Sequence, residues 1–169
     1  MTQRILDGQY EKLIAEVADK LKPFGYARRG KVVKAIFGDN AVVVEFQKSA
    51  KSSGDKIVFT VNLGVVCGRL LDTERVDFKR SAIIDAHLST RLGRLLPTPE
   101  DNKWWEISTS TDGEPLAKEL SRSLIDIAIP YLESFKNTDA LIALWQSGKS
   151  PGLTDGQRSR YLSELGYSQ

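Results

Sequence analysis

Residues 41–66, AVVVEFQKSAKSSGDKIVFTVNLGVV, read as two strands and the loop between them. In the first, Val42, Val44 and Phe46 alternate with Val43, Glu45 and Gln47. In the second, Ile57, Phe59, Val61, Leu63 and Val65 alternate with Val58, Thr60, Asn62 and Gly64. Successive side chains of an extended chain point to opposite faces, so each segment offers one apolar face to a core and a second, more polar face. The polar stretch SAKSSGD is short enough to turn the chain straight back, which makes the pair antiparallel.

The same period extends outward in both directions. Upstream, GKVVKAIFGDN sets Val33, Ala35 and Phe37 against Val32, Lys34 and Ile36, and ends in GDN, residues that tolerate turn conformations. These three segments read as a meander. Downstream, residues 68–86 (GRLLDTERVDFKRSAIIDA) carry many charges and no clean period, and read as an excursion with room for a helical turn. The sheet resumes in HLSTRLGRLLP, with Leu88, Thr90 and Leu92 opposed to His87, Ser89 and Arg91, and in KWWEIS. Alternation in KWWEIS sends Trp105 and Ile107 to the core and Trp104 and Glu106 to the other face.

Helical spacing frames this sheet. Leu6, Tyr10, Leu13, Ile14, Val17, Ala18 and Leu21 mark a first amphipathic helix, stopped by Pro23 and Gly25. TDGE at 111–114 fits a capping box, with Thr111 at the cap and Glu114 three residues on. It precedes an apolar stripe of Leu116, Leu120, Leu124, Ile127, Tyr131 and Phe135, in which Pro130 is expected to kink or end the helix. Thr138 or Asp139 is expected to cap a helix carrying Leu141, Ile142, Leu144 and Trp145, and TDGQ at 154–157 caps a last one. The expected architecture is α+β: an antiparallel sheet of about five strands, with N-terminal and C-terminal helices packed mainly on one face. Residues 1–136 form the expected domain, and 137–169 a helical extension packed on it.

Composition narrows the chemistry. Over 169 residues, 24 Lys plus Arg face 22 Asp plus Glu, a net charge of +2, far from the strong basic bias of a dedicated nucleic-acid binder. One cysteine, Cys67, leaves no partner for an intramolecular disulfide. With one histidine as well, no metal site and no cofactor is expected. The opening MTQRILDGQYEKL lacks the apolar core of a secretory signal, and no apolar run approaches the roughly 18 residues that span a bilayer, so the expected location is the cytoplasm.

Two surfaces are candidates for function. The faces opposite the apolar sets collect Glu45, Gln47, Asn62, His87, Arg91, Trp104 and Glu106: an aromatic platform ringed by carboxylates, amides and a guanidinium. Antiparallel sheets commonly present such a face to water, and Arg91 has Glu45 or Glu106 as an alternative ion-pair partner. The second surface is a basic rim of Arg28, Arg29, Lys31, Lys48 and Lys51, joined by Lys34, Lys56 and the excursion's Arg69, Arg75, Lys79 and Arg80 if these ends converge. Interleaved Asp39, Asp55, Asp72, Glu74 and Asp77 favour the plainer reading of solubilising loop charge. No Ser–His–Asp order, HExxH, phosphate-binding glycine loop or paired-cysteine motif accompanies either surface, so no catalytic residue is assigned.

Taken in order, LKPFGYARRG, VVVEFQKSAKSSGDKIVFTVNLGVV, HLSTRLGRLLP and KWWEIS resemble a bacterial family catalogued as a domain of unknown function, the DUF-4304 group, over roughly residues 8 to 135. The resemblance implies an α+β domain and brings no activity or site residues. The leading expectation is a non-enzymatic protein-binding module, adaptor or immunity-like, using the polar sheet face around Trp104. One alternative is a small-ligand binder or hydrolytic enzyme using Glu45, His87, Arg91 and Glu106, with a carboxylate pair and a histidine base. The other is nucleic-acid binding through the basic rim.

Overall fold

The computed structural model describes residues 1–168. Helix α1 (Thr2–Leu21) is followed by strands β1 (Ala27–Arg29), β2 (Val32–Phe37), β3 (Asn40–Lys48) and β4 (Lys56–Cys67). After the excursion come β5 (Leu88–Arg91), a single helical turn α2 (Leu92–Leu95) and β6 (Trp105–Ser108). The chain ends in α3 (Gly113–Ser123), α4 (Ile129–Glu133), α5 (Thr138–Gln146) and α6 (Asp155–Glu164). All six strands form one antiparallel sheet in the order β1-β2-β3-β4, with both β5 and β6 on the remaining edge of β4. The two short strands lie end to end: β6 pairs with Lys56–Phe59 and β5 with Asn62–Val65.

The alternation fixes the core face. Val33, Ala35, Val42, Val44, Phe46, Ile57, Phe59, Val61, Leu63 and Val65 pack against the buried stripe of α1 and against α3 and α4. Trp105 joins them, stacked on Phe59 at 6.0 Å between ring centroids, with Nε1 donating to Glu119 at 3.5 Å. Leu141, Ile142, Trp145, Tyr161 and Leu162 of α5 and α6 belong to the same core. Trp145 packs there against Tyr161, 5.2 Å between centroids.

The excursion turns out to be a strap. Residues 68–86 fold as three single 3-10 turns across the second face of the sheet. There Ala41, Val43 and Val66 form a small second core with Val32, Leu71, Phe78 and Ala86. These three sheet residues explain why the second parity is apolar at one end and polar at the other. Lys34, expected on an open face, instead fastens the strap: its Nζ donates to the carbonyls of Phe78 (3.2 Å), Lys79 (2.8 Å) and Ser81 (2.9 Å). A cation is favoured there because carbonyls cluster at the end of a helical turn. Close approach also needs Gly64, since a Cβ at this position would lie 2.8 Å from both Ala86 Cβ and Ile83 Cδ1.

Two cap expectations are corrected. Asp112, not Thr111, caps α3 by accepting from Glu114 N–H, because the Thr111 hydroxyl is taken by the N–H of Ser108 at 2.9 Å. Asn137, not Thr138 or Asp139, caps α5, and Thr138 turns its hydroxyl to Asn40 instead. At Pro130, expected to kink or end the helix, the chain stays helical: α3 runs through a π turn into α4, which holds Pro130. Leu124–Ala128 widen into a π turn in which Ile129 N–H reaches back to Leu124. The wider turn accommodates a proline that has no N–H for the carbonyl four residues earlier. It also rotates the buried stripe, which continues through Ala128, Ile129 and Leu132 while Ile127 and Tyr131 are only half-buried. The Thr154–Gln157 capping box of α6 forms as expected.

Candidate functional site

The strap covers one end of the second face, with Ile83 at its edge. Beyond it, register places Glu45, Asn62 and Arg91 in one row across β3, β4 and β5. Asn62 Nδ2 donates to Gln47 Oε1 at 2.7 Å, so the two amides of the face are linked. Thr60, on the same parity, is buried because its hydroxyl donates to Lys103 O at 2.9 Å. That bond holds the chain entering β6 against β4 and presents Trp104 beside Arg91. The guanidinium carbon of Arg91 lies 5.4 Å from the Trp104 ring centroid, a cation–π arrangement.

Arg91 also lines a groove of about 600 Å³. Its floor is Asn62, Ser89 and Arg91; Ile83 of the strap forms one side. Asn102 and the Arg94–Asp101 ion pair, 3.0 Å, form the other, and Gly152 closes an end from the loop between α5 and α6. Gly93 lets the 100–103 loop fold in this closely, because a Cβ there would lie 2.6 Å from Glu100 O. Among the described residues Arg91 joins no ion pair.

The other expected members of this face lie elsewhere. Glu45 is only 6 % exposed, tucked under the strap edge where it accepts from Ile83 N–H at 3.5 Å. Glu106 is exposed and paired with Lys56 at 3.2 Å. It sits opposite Val58, four residues along β4 from the Glu45–Asn62 row. At about 3.4 Å per residue the two carboxyls are separated by about 13 Å along the strand alone, beyond the spacing of a glycosidase pair. His87 departs from its expected place as well. It precedes β5, so the strand alternation does not govern it. Its ring is buried with Nδ1 accepting from Cys67 N–H at 3.0 Å and its edge against Tyr161, 5.2 Å between centroids. Burial lowers its pKa to about 4. Glu45, His87 and Glu106 are not brought together.

The five rim residues, Arg28, Arg29, Lys31, Lys48 and Lys51, share one end of the sheet, and Arg69 of the excursion does not join them, since it follows β4 at the other end. Arg28 pairs with Glu11, Lys48 with Asp7, Lys56 with Glu106, Arg75 with Asp72 and Arg80 with Asp77. Arg29, Lys31 and Lys51 are exposed. Cys67 is buried, its thiol pKa raised by that burial, with Sγ 3.8 Å from the Thr138 hydroxyl. No group of three or more His, Cys, Asp or Glu able to hold a metal occurs among the described residues, and no helix there is long and apolar enough to cross a membrane.

Strand alternation marks Arg91 and Trp104 but not Arg94, which follows on α2, nor Asp101, Asn102 and Gly152, which reach the groove from loops. Residues 17–134 match the model of the family described as Domain of unknown function (DUF4304). No curated protein and no solved structure matches the chain.

Proposed function

We propose that this chain, which belongs to the DUF4304 family, is a non-enzymatic protein-binding module that docks its partner on the uncovered half of the polar sheet face, around Trp104 and Arg91. The observation that carries the reading is the half-buried Trp104–Arg91 stack at the edge of an open groove. Trp and Arg dominate the energetics of protein interfaces because each offers a large, stiff contact area with polar reach. The shape of the groove supports a macromolecular partner over a small substrate, since small-ligand sites enclose most of their ligand and this one is open along the sheet.

The test is affinity capture from cells that produce the protein, using wild type and Trp104→Ala in parallel. Partners retained by wild type and lost by Trp104→Ala are the expected result. Equal capture by both proteins removes this face as the docking surface.

A further inference from the structure

We infer that the group this face receives is a carboxylate, carried by an acidic segment of the partner protein and bound by the guanidinium of Arg91. This rests on the reading of the face as a docking surface. The argument begins with charge. The groove holds two guanidiniums, of which Arg94 is matched by Asp101 at 3.0 Å, while Arg91 joins no ion pair among the described residues. No lysine is among the residues that line it. One free positive charge complements a singly charged carboxylate better than a phosphate, which carries nearly two charges and generally draws several cations. Glu45 is the acidic group nearest along the sheet row, and the strap edge seals it from the groove.

Geometry agrees with the charge. Trp104 meets Arg91 through its ring face, 5.4 Å from the guanidinium carbon to the ring centroid, and no carboxylate among the described residues pairs with the guanidinium's N–H edge. That edge is the fork that donates two parallel hydrogen bonds to a carboxylate. Asn62 and Asn102, in the same groove, offer amide donors and acceptors to the neighbouring peptide groups. An extended acidic segment running along the groove therefore finds a charge partner flanked by amides.

The probe is a fluorescent hexaglutamate peptide, read by anisotropy at low salt against hexaglutamine and a phosphoserine peptide. Hexaglutamate is expected to bind wild type, and Arg91→Met to weaken it about tenfold, the effect of losing a well-placed charge partner. Arg91→Lys, which keeps the charge and loses the fork, is expected to fall between the two, and circular dichroism checks that both variants fold. Lys51→Met, at an exposed cation of the β3–β4 loop, is expected to bind like wild type. Absence of hexaglutamate binding, equal loss in Arg91→Met and Lys51→Met, or tighter binding of the phosphoserine peptide overturns the inference. If partner capture depends on Trp104 but not on Arg91, the docking face stands and the carboxylate falls; if it depends on neither, both fall.

Discussion

The backbone N–H of Cys67 donates to Nδ1 of His87 across 3.0 Å, which fixes the ring as the neutral tautomer with its proton on Nε2. The last residue of β4 is thereby tied to the residue before β5, with Tyr161 of α6 closed over the ring. Protonating His87 breaks that bond in a buried place.

Stability is therefore expected to fall with acid. The folded-state pKa of His87 is lowered to about 4 from 6.5, chiefly by burial, so the unfolded chain takes up the proton first. Its contribution is complete above pH 6.5 and is lost as pH falls toward 4, amounting to roughly 3 kcal/mol over that window. Since the chain has one histidine, the interval from pH 6.5 to 5 isolates it from the carboxylates. Urea unfolding midpoints should decrease across that interval in wild type and be flat in His87→Gln; identical midpoints in wild type would falsify the assignment.

Removing the strap's fastening should loosen it locally. Lys34→Met leaves the carbonyls of Phe78, Lys79 and Ser81 without their charged donor. The expected cost is about 1–3 kcal/mol, felt by the strap rather than by the sheet. Hydrogen exchange should accelerate over 78–86 while β3 and β4 keep their protection. Uniform acceleration through both regions counts against this picture.

A methyl group at Gly64 should push the strap away from β4. Gly64→Ala meets Ala86 and Ile83 at distances too short for carbon atoms, and overpacking of this kind costs about 1–3 kcal/mol. Ile83 also walls the groove, so the variant should alter peptide binding as well as melting temperature. Unchanged melting would show that the strap yields freely.

The two adjacent tryptophans should behave in opposite ways. Trp105→Ala opens a cavity beside Phe59 and should cost about 3–5 kcal/mol, whereas Trp104→Ala, half-buried on the sheet surface, should cost under about 1 kcal/mol. In single-tryptophan variants, acrylamide should quench Trp104 far more readily than Trp105. Equal quenching is the result that contradicts the face assignment.

Much of this fold is legible in the sequence wherever one physical rule dominates. The meander from Val32 to Cys67 and the split between Trp104 and Trp105 follow from alternation against a single buried face. The strap was invisible to that rule, although Ala41, Val43 and Val66 on the supposedly polar parity record its footprint. Strand β1 leaves no mark in the sequence because Ala27–Arg29 is a three-residue edge with too little length for alternation. The π turn leaves no compositional mark; it shifts the helical phase by one residue near Pro130. Of the site, Arg91 and Trp104 are readable from parity. The groove around them is not, because loops near 101 and 152 build its walls and only tertiary structure brings those loops to β5.

The strap leaves the sheet after Cys67 and rejoins it at Leu88, which pairs with Val65 on the neighbouring strand. Its two ends are thus already adjacent, as at a hairpin, so its length is free to change at a loop-closure cost that grows only logarithmically. Shortening it would bare Ala41, Val43 and Val66, which a relative with a brief turn here should therefore replace with polar residues. Divergence within the family can consequently reshape the wall of the groove without touching the helical side of the sheet, and strap length and the polarity of those three positions should change together.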